Sequence, residues 1–501
     1  MNKNFYITTP IYYVNDIPHI GHAYTSIACD VMARFLRISG HEVKFLTGTD
    51  EHGQKIEKSA QKANITPQEL TDKVSEKFRD LSSILNLSND DFIRTTEERH
   101  KSAVKHFWQK LQDNGHIYQA SYSGWYCVRD EAFYTEAQLI DGKAPTGADV
   151  EWVEEPSYFF DLSKWQDKLL EFYEQNPDFI YPTSRRNEVS SFVKSGLNDL
   201  SISRTSFKWG IKVPGNEDHV IYVWLDALVN YISALGYPND IAKFWPADIH
   251  MVGKDILMFH AVYWPAFLMA ADLPLPKRIV AHGWWTVDGQ KMSKSLNNAV
   301  NPLGLIEEFG LDQLRYFLMR EVPFGNDGNY SKSSMVNRIN SELANNIGNL
   351  TQRTLTMIVK NCNSKLPKLN HPELAESLFK EAEMTIEKVT SHMLKQEFSL
   401  SIEAIIKLAS QANSFIDEQA PWHLAKNDVE KMASILHILA QIIHHLGILL
   451  LAFMPDSANK ILDLLSIGEN NRNLAGLSSP IKEGVTIQTP SPIFVRYQDI
   501  S

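Results

Sequence analysis

The sequence predicts an α/β fold: an open parallel sheet with an inserted mixed α+β segment, followed by a C-terminal α-helical bundle. Three observations predict it: a strand–helix–strand pattern near the N-terminus, an aromatic and turn-rich middle, and helical periodicity towards the end. The 501 residues suffice for two to four domains with a buried core. With 44% apolar and 22% charged residues, the composition is that of an ordinary globular protein.

The N-terminal segment alternates as a βαβ unit does. Residues 5–13 are rich in β-branched and aromatic side chains and predict a strand, and residues 43–46 predict a second one before the polar loop TGTDEHG. The helix between them follows the letters PHIGH and ends at Ser39-Gly40. Its apolar stripe consists of Ile27, Val31 and Phe35. Because parallel sheets bind ligands at the carboxyl ends of their strands, PHIGH and TGTDEHG are expected at a ligand site.

The rest of the chain divides by pattern. Aromatics and short alternating runs dominate residues 115–214, which predicts an inserted domain between two halves of the parallel-sheet domain, residues 1–114 and 215–333. The parallel-sheet pattern is expected to return at HVIYVWLDALVNYI and at DIHMVGKDILMFHAVYWPAFLMA. Residues 334–501 have helical periodicity and predict a bundle. Its clearest stripe consists of Ile402, Ile405, Ile406, Ala409, Ala412 and Ile416.

Charge and cysteine content narrow the function classes. A net charge of −11 argues against wholesale coating of nucleic acid, although a local basic face would suffice for binding. The three cysteines form no Cys-x-x-Cys pair, which argues against a disulfide framework and fits a reducing compartment. The N-terminus has neither a secretory nor a transit signature. Residues 435–454 are the most membrane-like stretch, but polar interruptions predict a buried bundle helix.

Two histidines in PHIGH stand three positions apart. If a helix opens at Gly21, His19 and His22 share one face at its N-terminus, where backbone N–H groups and the helix dipole favour anions. Two imidazoles would add hydrogen-bond donors for a phosphate. Taken alone, the pair also fits a capping histidine plus a core one, or the start of a metal site that lacks its further ligands.

A second basic motif lies at residues 288–298, DGQKMSKSLNN. It places Lys291 and Lys294 in a loop rich in Gly, Ser and Asn, which suits a mobile clamp on a polyphosphate and equally describes a solvated loop. No Walker pattern and no Gly-x-Gly-x-x-Gly occurs, so any phosphate handling must use another arrangement.

The two motifs together, PHIGH and then KMSKS about 270 residues later, resemble class I aminoacyl-tRNA synthetases, whose catalytic domain is Rossmann-like. The chain is most similar to their methionyl branch. The segments that carry this resemblance are TTPIYYVNDIPHIGHAY, FLTGTDEHGQKI, YVWLDALVNY, GKDILMFHAVYWPA, HGWWTVDGQKMSKSLNN and DEQAPWHLAK. The resemblance implies two steps. Methionine attacks the α-phosphorus of ATP to give methionyl-adenylate and pyrophosphate, and the 3′-terminal adenosine of tRNA(Met) then takes the methionyl group.

The resemblance also implies roles for the basic motifs. His19 and His22 would stabilise the phosphate in the transition state, and Lys291 and Lys294 would hold the departing pyrophosphate. Asp255, in GKDI, would contact ATP or its ribose, together with His19, His22 and Lys294. Mg²⁺ would arrive with ATP as the co-substrate.

The methionine pocket is likewise implied by the resemblance. Its matching positions are Ile11, Tyr13, Asp50, Trp224, Ala227, Tyr231, Ile256, His260 and Trp264. Asp50 would bind the ammonium group, and aromatic walls suit a thioether. For each aromatic residue alone, core packing is the alternative. Leu228 stands where some members carry proline, and we expect only a modest effect on the shape of the wall.

The bundle would read the anticodon. LANNIGNLTQR places Asn345, Asn349 and Arg353 four residues apart on one helical face, and APW supplies Trp422. Amides and a guanidinium can read base edges, and an indole can stack on a base. A plain solvated face is the alternative.

Two departures from the family pattern lead to expected absences. Many members carry zinc knuckles in the insert. Here Cys127 is followed by Asp130 where a second cysteine would be needed, and GKAPTGADVEW lacks the later Cys and His, so no zinc is expected. Some members have a further C-terminal domain that dimerises them. The chain ends soon after the bundle, so we expect a monomer. Because no presequence is evident, we expect the protein in the cytoplasm.

Other functions fit the sequence less well. Valyl, isoleucyl and leucyl synthetases carry a large editing domain, and the insert of roughly 100 residues is too small for one. Cysteinyl synthetases bind the thiol of their substrate with zinc, and the zinc ligands are missing here. A tRNA-binding protein without catalysis would not need both basic motifs, and a small-molecule nucleotidyltransferase would not need the bundle.

Overall fold

The computed structural model describes residues 4–14, 18–287, 289–291 and 300–498, and it does not describe the side chains of Gln290 and Lys291. The chain divides into two compact units. We call Met1–Pro18 with Val43–His282 the sheet unit, and His19–Glu42 with Gly283–Ser501 the bundle unit. Lys294 lies outside the described residues.

The regular elements alternate through both units. Within the described residues the strands are β1 Asn4–Thr8, β2 Tyr12–Tyr13, β3 Glu42–Asp50, β4 Asp91–Arg94, β5 Ile117–Cys127, β6 Ala132–Tyr134, β7 Glu151–Phe160, β8 Ile180–Tyr181, β9 Leu200–Ser201, β10 Ser203–Arg204, β11 Lys212–Val213, β12 Asn216–Ile221, β13 Ile249–Gly253, β14 Ile279–His282, β15 Trp285–Val287, β16 Gln290–Lys291 and β17 Gly328–Tyr330. The α-helices are α1 Ile20–Ile38, α2 Gln54–Ala63, α3 Pro67–Ile84, α4 Glu98–Asp113, α5 Gln166–Gln175, α6 Thr183–Lys194, α7 Val223–Leu228, α8 Asn230–Ser233, α9 Trp264–Ala270, α10 Pro302–Phe309, α11 Leu311–Arg320, α12 Lys332–Arg338, α13 Asn349–Asn361, α14 Glu376–Leu394, α15 Phe398–Gln419, α16 Pro421–Leu424, α17 Val429–Leu450 and α18 Pro455–Leu464.

The sheet unit is built on a seven-stranded sheet in the order β2–β3–β1–β13–β14–β8, with β4 also paired to β3. The pairs β1–β13, β13–β14, β14–β8, β2–β3 and β3–β4 are all parallel. The predicted parallel sheet is therefore confirmed. Strand β8 belongs to this sheet although it lies within the segment predicted as the insert, and the predicted domain boundaries stay a prediction.

The first two predicted strands are corrected in their extent. Residues 5–13 form two strands, β1 and β2, and Pro10, which lacks a backbone N–H, lies in the break. Strand β3 runs on to Asp50, so the letters TGTD are strand and not loop. Gly48 permits this, because a Cβ there would lie 2.0 Å from the carbonyl oxygen of Ile93 on β4. The polar composition of TGTD concealed a fully buried strand end.

One predicted return of the parallel sheet is wrong. In HVIYVWLDALVNYI, strand β12 lies between β10 and β11 in a small antiparallel sheet, and the remainder forms helices α7 and α8. A short buried apolar run does not distinguish a strand from a helix by period alone. The other segment is confirmed, because its start forms β13 of the parallel sheet.

The middle of the chain has the mixed composition that the sequence predicts. Strands β6, β5, β7 and β9 form an antiparallel sheet in that order, in which β5 pairs with β7 from Ile117 to Tyr126. Helices α5 and α6 follow β7 in the chain.

The bundle unit contains α1 and, after β17, an almost wholly helical chain. In α15 the predicted stripe is buried apart from Ile406, which is partly exposed. Helix α17 is long and apolar enough to cross a membrane, yet 89% of its most apolar window is buried within the protein. This bears out the prediction of a buried bundle helix.

A fully buried ion pair joins α1 to α11 within the bundle unit. The Arg315 guanidinium donates from Nη2 to Asp30 Oδ2 at 2.6 Å, and neither side chain is exposed. Its Nε donates to the carbonyl of Phe453 at 3.0 Å, and Nη2 also reaches the carbonyl of Ala452 at 3.2 Å. Several partners for each charge offset the loss of water that burial imposes.

Candidate active site

The histidine pair of PHIGH caps helix α1. Helix α1 begins at Ile20, one residue before the predicted opening, with His19 as its N-cap. His19 Nδ1 accepts the Gly21 N–H at 3.1 Å, and His22 Nδ1 accepts the His19 N–H at 3.1 Å. Glycine leaves room for this, because a Cβ at Gly21 would lie 2.9 Å from His19 Cε1.

This capping fixes the protonation of both rings. Since each Nδ1 accepts a backbone N–H, the hydrogen of each neutral imidazole must sit on Nε2. Burial, and the neighbouring His19 at a ring distance of 3.9 Å, hold the pKa of His22 well below its usual range. The helix N-terminus thus carries two Nε2–H groups, the donor type that a phosphate oxygen accepts.

The base of the KMSKS segment is held by a small sheet. Strand β15 pairs with β16, which contains Lys291, and with β17. Asn329 Oδ1 accepts the Gly289 N–H at 2.8 Å and the Thr286 hydroxyl at 3.1 Å. The positions of the Lys291 side chain and of Lys294 fall outside the described residues, so their predicted role stays a prediction.

Asp50 ends β3 at the carboxyl end of the parallel sheet, directly paired with Tyr13 of β2. Its carboxyl group is 8% exposed and accepts the backbone N–H of His52. Among the described residues, Asp50 Oδ1 has no hydrogen-bond partner. Burial, and then the charges of Asp226 and Glu131, raise the pKa of Asp50 well above its usual range. A buried, incompletely bonded carboxylate is stabilised by a cationic donor such as an ammonium group.

The predicted pocket residues of the sheet unit belong largely to one apolar core. Tyr231 and Trp264 are fully buried in it, and the partly buried members pack against it: Ile11, Tyr13, Trp224 and Ile256. The Trp224 ring stacks on Phe259 at 3.7 Å with an interplanar angle of 5°. Phe259 was not predicted as a pocket residue, although it directly precedes the predicted His260. Ala227 is also buried.

His260 is a neutral hydrogen-bonding link in this wall. Its Nδ1 lies 2.9 Å from the carbonyl of Ile256, which can only accept, so Nδ1 carries the hydrogen. Its Nε2 therefore accepts the Tyr231 hydroxyl at 2.6 Å. Burial lowers the pKa of His260 to about 4, so the ring is uncharged at neutral pH.

A buried His–Asp–His network, whose Asp226 raises the pKa of Asp50, was not predicted from the sequence. Asp226 Oδ2 is 2.7 Å from His52 Nδ1, and its Oδ1 is 2.7 Å from His100 Nε2. His100 Nδ1 contacts the Ser233 hydroxyl at 2.9 Å. Burial raises the pKa of Asp226, but the charges and hydrogen bonds of the two histidines outweigh it and leave the pKa lowered. Asp226 lies on α7 between Trp224 and Ala227, so the network fixes that helix.

Asp255 lies at the carboxyl end of β13, in a short 3₁₀ helix, Lys254–Ile256. It is exposed. A Cβ at Gly253 would lie 2.5 Å from Asp255 Oδ1, so this glycine lets the carboxylate fold back over the strand end.

The predicted anticodon residues separate into two pairs within the bundle unit. Asn345 lies in a π-helix, Ile339–Gly348, and Asn349 begins α13; both line a groove of about 480 Å³ together with residues 492–494 and Arg496. The Arg353 guanidinium lies 5.2 Å from the Trp422 ring centroid, and its Nη2 bonds Asp417 at 2.6 Å. Trp422 is 42% exposed. The π-helix and the groove wall from residues 492–496 gave no signal in the sequence.

Comparison with known proteins identifies the family. The family model "tRNA synthetases class I (M)" matches residues 5–151 and 138–355, and "Anticodon binding domain of methionyl tRNA ligase" matches residues 368–501. The chain belongs to the methionyl class I tRNA synthetases. The methionine–tRNA ligase of Rickettsia felis is 60% identical over 99% of both chains, and that of Brucella suis is 52% identical over 99% of this chain and 98% of the relative.

Solved structures agree with this assignment. Methionyl-tRNA synthetase of Mycobacterium tuberculosis, bound by methionyl-adenylate, is 46% identical and superposes with a TM-score of 0.96. The match covers 98% of this chain and all of the other. The class I α/β fold expected from the sequence is thereby confirmed.

In this methionyl synthetase chain, hydrogen bonds hold the segment around Cys127 and Asp130, where other family members carry a zinc knuckle. The Asp130 carboxylate accepts from the Tyr134 hydroxyl at 3.2 Å, from the Thr146 hydroxyl and from Cys127. Ala144 and Ala148 pack on Cys127 in a small core. Across the described part of the chain no group of three His, Cys, Asp or Glu side chains could hold a metal ion. These residues do not fit a zinc knuckle, and the expected absence of zinc stays a prediction.

Proposed function

We propose that this chain is a methionine–tRNA ligase that activates L-methionine with ATP and transfers it to the 3′-terminal adenosine of tRNA(Met). The observation that carries the proposal is Asp50, whose buried Oδ1 has no partner among the described residues and lies beside the wall residue Tyr13. A methionine ammonium group would complete its hydrogen bonding. The family membership of the whole chain supports the same assignment.

In the activation step the methionine carboxylate is already a nucleophile, so no residue needs to remove a proton. We propose that His19 and His22 donate from Nε2 to the α-phosphate as charge develops there, an effect that is strong for preorganised donors. Lys291 and Lys294 would hold the pyrophosphate, Asp255 would contact ATP, and Mg²⁺ would enter with the nucleotide. The positioning of reactants supplies the rest of the rate enhancement.

The wall of the proposed pocket is uncharged and aromatic, which suits the thioether of methionine. A neutral His260, held by Tyr231, offers no charge to a thioether, and aromatic faces such as Trp224 make favourable contacts with sulfur. A cytoplasmic, monomeric enzyme that works without zinc is part of the proposal.

The test is amino-acid-dependent exchange of labelled pyrophosphate into ATP, measured with each of the twenty amino acids and without tRNA. Exchange with methionine alone is expected, followed by charging of tRNA(Met). Exchange with another amino acid would keep the reaction class but overturn the pocket assignment. No exchange with any amino acid would contradict the proposal.

We also propose that the anticodon is read by Asn345, Asn349, Arg353 and Trp422. Replacing Trp422 with alanine is expected to lower the kcat/KM for tRNA(Met) by about tenfold or more, since stacking on one base contributes about 1–3 kcal/mol. Methionine-dependent pyrophosphate exchange should not change. Leu394→Ala, which removes another exposed apolar side chain of the bundle unit, is the matched control. Equal loss in both variants would contradict stacking at Trp422.

Removal of zinc should have no effect. Dialysis against a strong chelator is expected to leave pyrophosphate exchange and the thermal midpoint unchanged, with metal content measured by mass spectrometry. Asp130→Ala should instead lower the free energy of unfolding by about 1–2 kcal/mol, because hydrogen bonds to a charged group are lost. A stoichiometric zinc ion, or activity lost to the chelator and restored by zinc, would overturn the expectation.

A further inference from the structure

Glu131 is a buried carboxylate that the proposed reaction does not use. It lies in the turn between β5 and β6, with a backbone φ of 48° in the left-handed region, and it is only 5% exposed. A non-glycine residue in that region and a buried carboxylate both reduce stability, and such costs persist where the surrounding structure requires them. Burial raises the pKa of Glu131, although its hydrogen bonds oppose the shift.

The side chain of Glu131 gathers three separate segments of the sheet unit. Its Oε1 accepts the Tyr13 hydroxyl at 3.1 Å and the backbone N–H of Lys55 at 3.0 Å. Its Oε2 accepts the Tyr126 hydroxyl, and Tyr222 bonds its backbone carbonyl at 2.8 Å. The three partners of the carboxylate all donate to it, so the ionised form is the one that they stabilise.

The Lys55 contact makes Glu131 a remote cap of helix α2. Gly53, the N-cap, provides no side-chain hydrogen bond, and the carboxylate supplies the missing acceptor at the positive end of the helix. The fit is close, since a Cβ at Gly53 would lie 2.9 Å from both Glu131 Oε1 and the Tyr13 hydroxyl oxygen. The turn that joins Asp50 to α2 is therefore held against the same carboxylate as Tyr13.

We propose that Glu131 is a positioning residue for the methionine pocket: it fixes the Tyr13 ring beside Asp50 from the inserted segment. This rests on the proposed function, in which Tyr13 lines the pocket. Tyr13 pairs directly with Asp50 across β2 and β3, so an unrestrained ring would widen the pocket at the ammonium position. The guanidinium of Arg204 lies 3.9 Å from the Tyr126 ring centroid, and its positive charge favours the ionised form of Glu131.

The test is a double-mutant cycle read by pyrophosphate exchange and by direct calorimetric binding of methionine. Glu131→Ala is expected to raise the KM and the Kd for methionine by about tenfold with little change in the KM for ATP, and Tyr13→Phe should do the same. The double variant should be no worse than either single one, because contacting residues couple.

Two further variants calibrate this test. Glu131→Gln keeps an acceptor for Tyr13, so its KM and Kd for methionine should rise only about threefold. Glu136→Ala, an exposed glutamate of the same segment, is the matched control.

The outcomes separate this inference from the proposed function. Lack of methionine-dependent exchange in the unaltered protein would overturn the function. An active protein in which Glu131→Ala leaves the KM for methionine unchanged, or raises both KM values equally, would overturn only the positioning role. Multiplying effects in the double variant would overturn it too. If Glu131→Ala does not fold, Glu131→Gln and Tyr13→Phe are combined in its place with the same expected coupling.

Discussion

Replacing Asp50 with asparagine is expected to lower the kcat/KM for methionine by about a hundredfold or more, since losing one partner of a buried charge pair costs about 2–5 kcal/mol. The KM for ATP should change little. The same variant should raise the thermal midpoint of the ligand-free protein. Because burial raises the pKa of Asp50, the folded state binds more protons than the unfolded one, and stability falls as the pH rises through that range. Above the unfolded pKa the buried carboxyl group therefore destabilises the empty pocket.

The pH dependence provides a second check on Asp50. As the pH falls through the raised pKa of Asp50, more of the carboxyl group is protonated and can no longer pair with an ammonium group, so the KM for methionine should rise. The asparagine variant should lose this dependence. Asp141→Asn is the matched control, because Asp141 is exposed and has a left-handed backbone that asparagine tolerates. A lower thermal midpoint together with unchanged methionine affinity would contradict the role given to Asp50.

Replacing Asp226 with alanine is expected to lower the free energy of unfolding by about 3 kcal/mol or more, because two buried histidines lose their shared acceptor. Urea unfolding followed by circular dichroism measures this. The pKa of Asp226 is lowered on folding, so its stabilisation is present above the unfolded pKa and is lost as the pH falls through the folded pKa. The difference between wild type and variant should therefore shrink in acid.

Catalysis should also suffer in the Asp226 variant, because α7 positions Trp224 and Ala227. Asp218→Ala, an exposed aspartate on β12 of the sheet unit, is the control and should leave both unfolding and exchange unchanged. A loss in the Asp226 variant no larger than in this control would show that the histidines find other partners.

Much of the fold followed from periodicity, and the exceptions share a physical reason. Helix α1 and the stripe of α15 were predictable because their apolar residues recur with the helical period and so form one face. The end of β3 was not, since the letters TGTD look like a loop while tight packing on β4 keeps them in the sheet. Helices α7 and α8 were not predictable either, because a continuously apolar run shows neither the period of a helix nor that of a strand.

For the candidate site, the family resemblance predicts individual residues, whereas contacts that only packing decides could not be predicted. Nothing in the letters near Asp50 indicates that His52, His100 and Asp226, from three distant segments, form one network. Phe259 and Glu131 are likewise ordinary until the chain folds, because their partners are far away in sequence. Long-range hydrogen bonds leave no periodic signal.

The ion pair of Asp30 and Arg315 limits how this protein can be divided. A chain cut near residue 335 would keep both charges but remove the carbonyls of Ala452 and Phe453 that the guanidinium also uses. The ion pair on helix α1 would then have lost two of its backbone acceptors, so we expect the truncated enzyme to fold less stably. Activity lost on such a truncation would therefore not show what the removed helices do, and point substitutions are the better way to assign their roles.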